Sequence, residues 1–281
     1  MIPNDSIEAL YEESRVFISD YRAGHPGSFE SANAFISKLR THSSAASLIW
    51  LFESGADFEP GAFKRMVIDT EVQLEKMMAR EYIAGHADCI EPEMRDGYPM
   101  ARKEAEALAL DGGEWLYFVG CGAAPLTAMR YHDICAAHVV CIDQDAEALR
   151  LAEQMLQQRY GAAVVAASFR FMHTRAESLE LARRSVKHLL LAAHCRHKEA
   201  LMLQLAPSLA DDCRVLVRLP LGLYRHVYDS VDFDQCPEYR EALRVDDAAE
   251  PFCQAALLTV KCKDSPIAQA TGKASFTGAE A

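Results

Sequence analysis

The stretch Glu114-Trp115-Leu116-Tyr117-Phe118-Val119-Gly120-Cys121-Gly122-Ala123-Ala124-Pro125-Leu126-Thr127 decides how the chain is read. A short apolar run ends in two glycines one residue apart, and a proline then opens a helical segment. The pattern predicts strand, tight turn and helix, because glycine tolerates positive φ and lets a ligand approach the main chain. The next apolar run, His138–Asp143, ends in an acid about twenty positions further on, where a carboxylate can accept from both ribose hydroxyls. Together the two segments predict a loop for an adenosyl ligand. Pro125 stands where a dinucleotide-binding loop has its third glycine. Proline suits a first helical turn but not the tight helix–strand packing of those loops, so S-adenosylmethionine is expected ahead of NAD. The plain alternative is a turn and a helix cap with no ligand.

Working outward, Asp111-Gly112-Gly113 is a turn at which the pattern changes. After it, strand-like runs at Glu114–Gly120, His138–Asp143, Phe169–Thr174, His188–Ala193 and Arg214–Leu219 alternate with helical segments at about 124–136, 145–160, 176–186 and 197–209. Such alternation predicts a parallel, doubly wound sheet. Ala255–Lys261 reads as a late edge strand. Before the turn, residues 1 to about 110 read as helical. Ser6 or Asp5 can cap a first helix, a second apolar stretch runs over 34–52, and Ala62 to Ile83 carries Phe63, Val67, Thr70, Leu74 and Met77 at helical spacing. The expected fold class is α/β: a Rossmann-like doubly wound sheet binding S-adenosylmethionine, with an N-terminal helical domain. The expected division is 1–110 helical, 111–263 Rossmann-like and 264–281 a disordered Ser/Thr/Ala/Gly-rich tail.

Composition narrows the partners. The 281 residues carry a formal net charge of −12 and no Lys/Arg-rich run, a poor match to a nucleic-acid backbone. Nine cysteines, an odd number without a C-x-x-C pair, indicate a reduced compartment. No stretch reaches membrane-spanning length and the N-terminus lacks an apolar signal core. A cytoplasmic enzyme acting on a small molecule is expected, with no nucleic acid and no membrane, and a homodimer is left open.

Several residues stand where chemistry is expected. Glu71, Glu75, Met78 and Tyr82 share one helix stripe, and like charges one turn apart raise a carboxylate towards a usable base. A solvated helix face is the ordinary reading of such glutamates. Ala193 and His194 end the fourth strand, at the carboxyl edge where open α/β sheets take ligands. His194, Cys195 and His197 do not form a recognised zinc pattern, so no metal is expected. Arg218, at the tip of the fifth strand, can clamp a carboxylate bidentately or form a surface ion pair. His173, Thr174 and Glu177 follow the third strand, where an adenine would lie.

The loop Val119-Gly120-Cys121-Gly122-Ala123-Ala124-Pro125-Leu126-Thr127 resembles the V-G-S-G-P-L-P-L-T cofactor loop of nicotianamine synthases. Ile142-Asp143-Gln144-Asp145 resembles their D-x-D, and Arg218 to Gly222 with Tyr228 and Asp232 looks like their R-S-A-H-G segment and the Tyr and Asp beyond it. The likeness covers most of 70–262, and the compact length suggests the bacterial branch that makes opine-type metallophores. The resemblance implies cofactor contacts from Gly120, Gly122, Pro125, Leu126, Thr127, Asp143 and Gln144, joined by Thr174, Ala193 and His194. It implies substrate contacts from Arg218 and Tyr228, and Glu75 as the catalytic base with Glu81 as the fallback. The family's F-P-Y-Y-x-N-Y stretch survives only as Gly97-Tyr98-Pro99, which leaves Tyr98 to close over the cofactor or relay a proton.

The activity so implied is transfer of the 3-amino-3-carboxypropyl (aminobutyrate) arm of S-adenosylmethionine to the α-amine of histidine, with methylthioadenosine leaving. Which sulfonium carbon is attacked depends on which one the protein presents. Nicotianamine synthesis proper, an ordinary small-molecule methyltransferase and a non-catalytic adenosyl sensor are the alternatives.

Overall fold

A computed structural model describes residues 60–90, 98–221, 224–225, 227–246 and 253–261. The expected helices before residue 60, the tail from 264 and Gly222 lie outside the described residues. So does the Tyr98 side chain.

The apolar runs of the second half become one seven-stranded sheet in the order β3-β2-β1-β4-β5-β7-β6. The strands are β1 Trp115–Val119, β2 His138–Asp143, β3 Phe169–His173, β4 Val186–Leu191, β5 Leu209–Pro220, β6 Tyr239–Val245 and β7 Cys253–Val260. The first five pair in parallel and β7 runs antiparallel to both β5 and β6. Central strands of a parallel sheet are covered on both faces, which is why Val139–Ile142 of β2 and Leu189–Leu191 of β4 read as continuous apolar runs. Val139, Cys141, Leu189, Leu190, Val215 and Val217 are buried accordingly. The doubly wound α/β architecture is as expected.

Helices pack around this sheet. Helix α1 (Pro60–Ile83) precedes it, followed by α2 (Tyr98–Leu108), α3 (Leu126–Cys135), α4 (Ala146–Tyr160), α5 (Ala162–Ser168) and α6 (Lys198–Leu205). In α1 the buried positions Val67, Thr70, Glu71, Leu74, Met78 and Tyr82 recur at helical spacing, so one stripe faces inward. Asp145 caps α4 by accepting from the N–H groups of Glu147 and Ala148.

Two expectations require correction. The segment 176–186 is not a helix, for only Ala176–Ser178 makes a single 3-10 turn. Tertiary hydrogen bonds replace the helical ladder: Arg184 and Ser185 N–H groups donate to the Pro207 and Ser208 carbonyls, and Ser208 Oγ donates to Leu181 O at 3.0 Å. The late strand β7 is not at the edge. It lies inside the sheet, and β6 covers it. The alternating charges of Arg240, Glu241 and Arg244 concealed β6 as a strand, and such charges are what protect an exposed edge. The alanine-rich α5, left unassigned by sequence, follows from high helix propensity.

Candidate active site

The glycine loop folds back over the end of β2. The N–H groups of Gly120 and Cys121 both donate to Ile142 O, at 2.8 and 3.2 Å. Gly120 and Gly122 have φ of +80° and +69°, the left-handed region that a side chain resists. A Cβ at Gly120 would come within 3.0 Å of Cys195 Sγ, and one at Gly122 would overlap the Glu75 carboxylate. Asp143 braces the loop: Oδ2 accepts from Gly122 N at 2.9 Å and Oδ1 from Asp145 N at 3.0 Å. Each oxygen keeps a further lone pair, so the carboxylate can still receive ribose hydroxyls. The left-handed glycines, the bare main chain and this acceptor suit an adenosyl ligand. Pro125 caps α3 without an N–H to satisfy, and Leu126 opens the helix.

Glu75 of α1 meets this loop from above. Its carboxyl is pushed up to about 8, first by burial, then by the charges of Glu71 and Asp143, against a hydrogen bond from the Ala123 backbone. A carboxyl near neutrality is suited to take a proton. Glu71, one turn earlier, is also buried, and its Oε2 lies 3.5 Å from His194 Nε2. The His194 ring stacks on Tyr228 at 4.3 Å and 16°, and Tyr228 lies parallel to Tyr224 at 5.6 Å. Among the described residues the buried Tyr228 hydroxyl has no hydrogen-bond partner. A phenol of this kind is available to a ligand.

Two clamps set the position of α1. Lys76 Nζ reaches Asp145 Oδ2 at 2.7 Å and Glu147 Oε2 at 3.0 Å, and Arg80 joins Glu147 at 2.6 Å. Near the other end of the helix, Lys64 pairs with Asp229 at 2.9 Å. The buried Lys198 holds the turn after β4 by donating to Ala193 O at 2.7 Å and Asp229 O at 2.9 Å. Burial lowers the Lys198 pKa. The turn that carries Ala193 and His194 is thereby fixed beside the cofactor loop.

Not every expected residue is at the site. Arg218 cannot serve as an open carboxylate clamp, because it already holds one. Its Nε and Nη2 donate to Glu104 Oε1 and Oε2 at 2.8 and 2.6 Å, and Nη1 donates to Thr127 Oγ1 at 2.9 Å. Glu104 is fully buried and also accepts from the Tyr131 hydroxyl at 2.9 Å. Thr127 is thus buried and engaged with Arg218. Glu81 faces solvent and pairs with His86 Nδ1 at 2.7 Å, so it is no alternative base. Asp232 caps a short turn by accepting from Asp234 N. The Gln144 side chain is exposed, and its backbone oxygen is 3.0 Å from His173 Nε2. Thr174 sits half-buried at the end of β3, its N–H donating to Asp143 O at 3.0 Å. Glu177 is exposed. No metal-binding group of three or more side chains occurs among the described residues.

Sequence reasoning missed Glu104, Lys76 and Tyr224. A signal existed for Glu104: it shares a stripe with the buried Ala101, Ala105 and Leu108, and a charge on an apolar face calls for a buried partner. Lys76 and Tyr224 carried no comparable local signal.

No family model matches the chain. An L-histidine 2-aminobutanoyltransferase of Pseudomonas aeruginosa (strain UCBPP-PA14) is 29% identical over 123 residues, which is 43% of this chain and 44% of that protein. An L-histidine 2-aminobutanoyltransferase of Yersinia pestis is 30% identical over 122 residues, 43% of each. The matched segment spans under half the length of these curated relatives. Among solved structures, a glutamate-to-glutamine mutant of the nicotianamine synthase MtNAS superposes with a TM-score of 0.70 at 14% identity, covering 92% of this chain and 98% of that one. MtNAS in complex with MTA and tNA gives 0.69 at 13% identity, with 91% and 98% covered. The chain therefore shares the fold of that nicotianamine synthase.

Proposed function

We propose that the protein transfers the 3-amino-3-carboxypropyl arm of S-adenosylmethionine to the α-amine of histidine and releases methylthioadenosine. The observation that carries this reading is Glu75, a carboxyl held near neutrality against the cofactor loop. The relatives named L-histidine 2-aminobutanoyltransferase support the acceptor. The likeness to an MtNAS mutant in complex with S-adenosylmethionine supports the donor.

The reaction is a displacement at carbon. The amine nitrogen bonds to the γ-carbon of the methionine arm, the C–S bond breaks, and its electron pair returns to sulfur. The leaving group is a neutral thioether, so the protein has little to activate. It must align nucleophile, carbon and sulfur and accept one proton. Glu75 receives the proton that the attacking ammonium sheds. Gly120, Gly122 and Asp143 hold the adenosyl end, while Tyr228 and the His194 ring offer a flat wall and a hydroxyl to the acceptor.

The described residues include no helix long and apolar enough to cross a membrane, and eight described cysteines are free thiols. The free thiols support a place in the cytoplasm. The expected division into a helical domain over 1–110, the sheet domain and a tail is kept as part of this reading.

The decisive experiment is mass spectrometry of the protein incubated with S-adenosylmethionine, with and without L-histidine or D-histidine. Methylthioadenosine together with a histidine adduct heavier by one aminobutyrate unit is the expected result. S-adenosylhomocysteine as the sole product would replace this reading with methyl transfer. A product assembled without histidine would point to nicotianamine synthesis proper.

A further inference from the structure

Glu75 stands where electrostatics does not favour it. The residue is partly exposed, and its carboxyl meets the cofactor loop at Gly122. Burial first, then the charges of Glu71 and Asp143, push its pKa up. Crowded acids repel one another, so α1 must be held down on the loop. Apolar packing of the α1 stripe is non-directional and does not by itself fix where the carboxyl comes to rest. Directional contacts do. Lys64 pairs with Asp229, but it lies about 16 Å along the helix from Glu75. Arg80 pairs with Glu147 through side chains that are 49% and 44% exposed, where an ion pair contributes little. Lys76 is different. It follows Glu75 directly, its side chain is 10% exposed, and it spans Asp145 Oδ2 at 2.7 Å and Glu147 Oε2 at 3.0 Å. Burial works against its charge, yet the hydrogen bonds to both acids outweigh it and raise its pKa. Asp145 also caps α4 through Oδ1, and its N–H donates to Asp143, the acid that braces the loop. One lysine thus joins the helix that carries the base to the acidic turn of the cofactor site.

We propose that Lys76 is a positioning residue, which by spanning Asp145 and Glu147 holds Glu75 against the cofactor loop; this rests on the transferase reading. Lys76 touches neither donor nor acceptor and acts through its neighbour. Without it, repulsion among Glu71, Glu75 and Asp143 lifts this turn of α1 from the loop. Glu75 then meets more water and stands farther from Asp143, and both changes lower its pKa towards the ordinary 4.5. Loss of charge alone acts the other way. Removing the ammonium strips Asp145 and Glu147 of their counter-charge, and the added negative field raises a nearby carboxyl. The other groups facing Glu75 are the Cys121 thiol and, beyond Glu71, the His194 ring, and neither is altered. The direction of the shift therefore separates position from charge.

The test uses the full-length protein with Lys76→Met and Lys76→Arg, each shown by thermal unfolding to be folded at the assay temperature. Calorimetric titration with S-adenosylmethionine across pH gives the affinity profile, and methylthioadenosine formation gives kcat and the KM for histidine. In the parent, affinity should rise with pH up to about 8. In Lys76→Met the rise should end at lower pH, with kcat down by about tenfold to 100-fold, the scale of a misplaced catalytic group, and KM changed less. Lys76→Arg keeps the charge and can reach both acids, so both quantities should return most of the way. An unshifted or upward-shifted profile in Lys76→Met would overturn the proposal even where stability is lost, and so would a parental kcat. Failure of Lys76→Arg to recover either quantity would overturn it as well. If Lys76→Met does not fold, Lys76→Gln is read by the same criteria. A parent protein that forms no methylthioadenosine would instead remove the transferase reading, while the affinity profile still reports on Lys76.

Discussion

At the scale of single residues, Glu75 and Arg218 show how burial assigns a role. Glu75 titrates near 8 rather than its ordinary 4.5, so at pH 7 the ligand-free protein holds it mostly as the acid. A sulfonium cation placed beside it favours the carboxylate and expels the proton. Calorimetry at pH 7 in two buffers of different ionisation heat should therefore show release of nearly one proton on S-adenosylmethionine binding. Glu75→Gln should abolish that release and slow transfer by roughly 100-fold or more. Affinity should rise with pH up to about 8 in the parent and stay flatter in the variant. The effect on stability has the opposite direction. A carboxyl whose pKa is raised on folding imposes no penalty below 4.5 and its full penalty above about 8. Glu75→Gln should consequently raise the melting temperature above pH 8 and leave it unchanged near pH 4. Arg218 stands at the other extreme. Replacing it with Met strands the Glu104 carboxylate in the core, so denaturant unfolding should show a loss of about 3–5 kcal/mol.

At the scale of elements, the loop after β1 and helix α1 make the site jointly. The loop needs glycine at 122 twice over, for its positive φ and for the space that Glu75 occupies. Gly122→Ala should weaken S-adenosylmethionine binding and displace Glu75 together, seen as a lower affinity by calorimetry and loss of the Glu75-dependent proton release. The α1 clamp is subtler. The Lys76 side chain is only 10% exposed and bridges two acids, so Lys76→Met should cost about 1–3 kcal/mol in urea unfolding. The loop was legible in the sequence because glycine spacing and a terminal acid are local requirements. The crossover at 176–186 was not. Its Ala, Glu, Leu and Arg residues are good helix formers, yet its backbone bonds go to the 206–208 turn, which no local pattern announces.

At the scale of the molecule, the strand order reverses between β1 and β4, and the crevice at such a reversal is where open α/β sheets bind ligands. The loop after β1, the turn after β4 and α1 all meet there. A ligand that binds only the folded chain stabilises it by about 2.7 kcal/mol at one hundred times its Kd. S-adenosylmethionine at that level should raise the melting temperature by roughly 5–10 °C. Thermal unfolding with and without the ligand checks this, and an unchanged midpoint would argue against an adenosyl site at the crevice.

The sequence by itself determined the parallel sheet, the glycine loop with its acid on β2, and a glutamate stripe on the preceding helix. Each follows from periodicity or from a conformation open to few residue types. Tertiary structure decided which charged groups became chemistry and which became architecture. Arg218 read as a clamp for substrate but closes on Glu104 across 114 residues of chain, and Glu81 turns to solvent six positions after Glu75 enters the site. The physical reason is desolvation. A charge acquires its pKa and its partner from what surrounds it after packing, and that environment is assembled from segments remote in sequence.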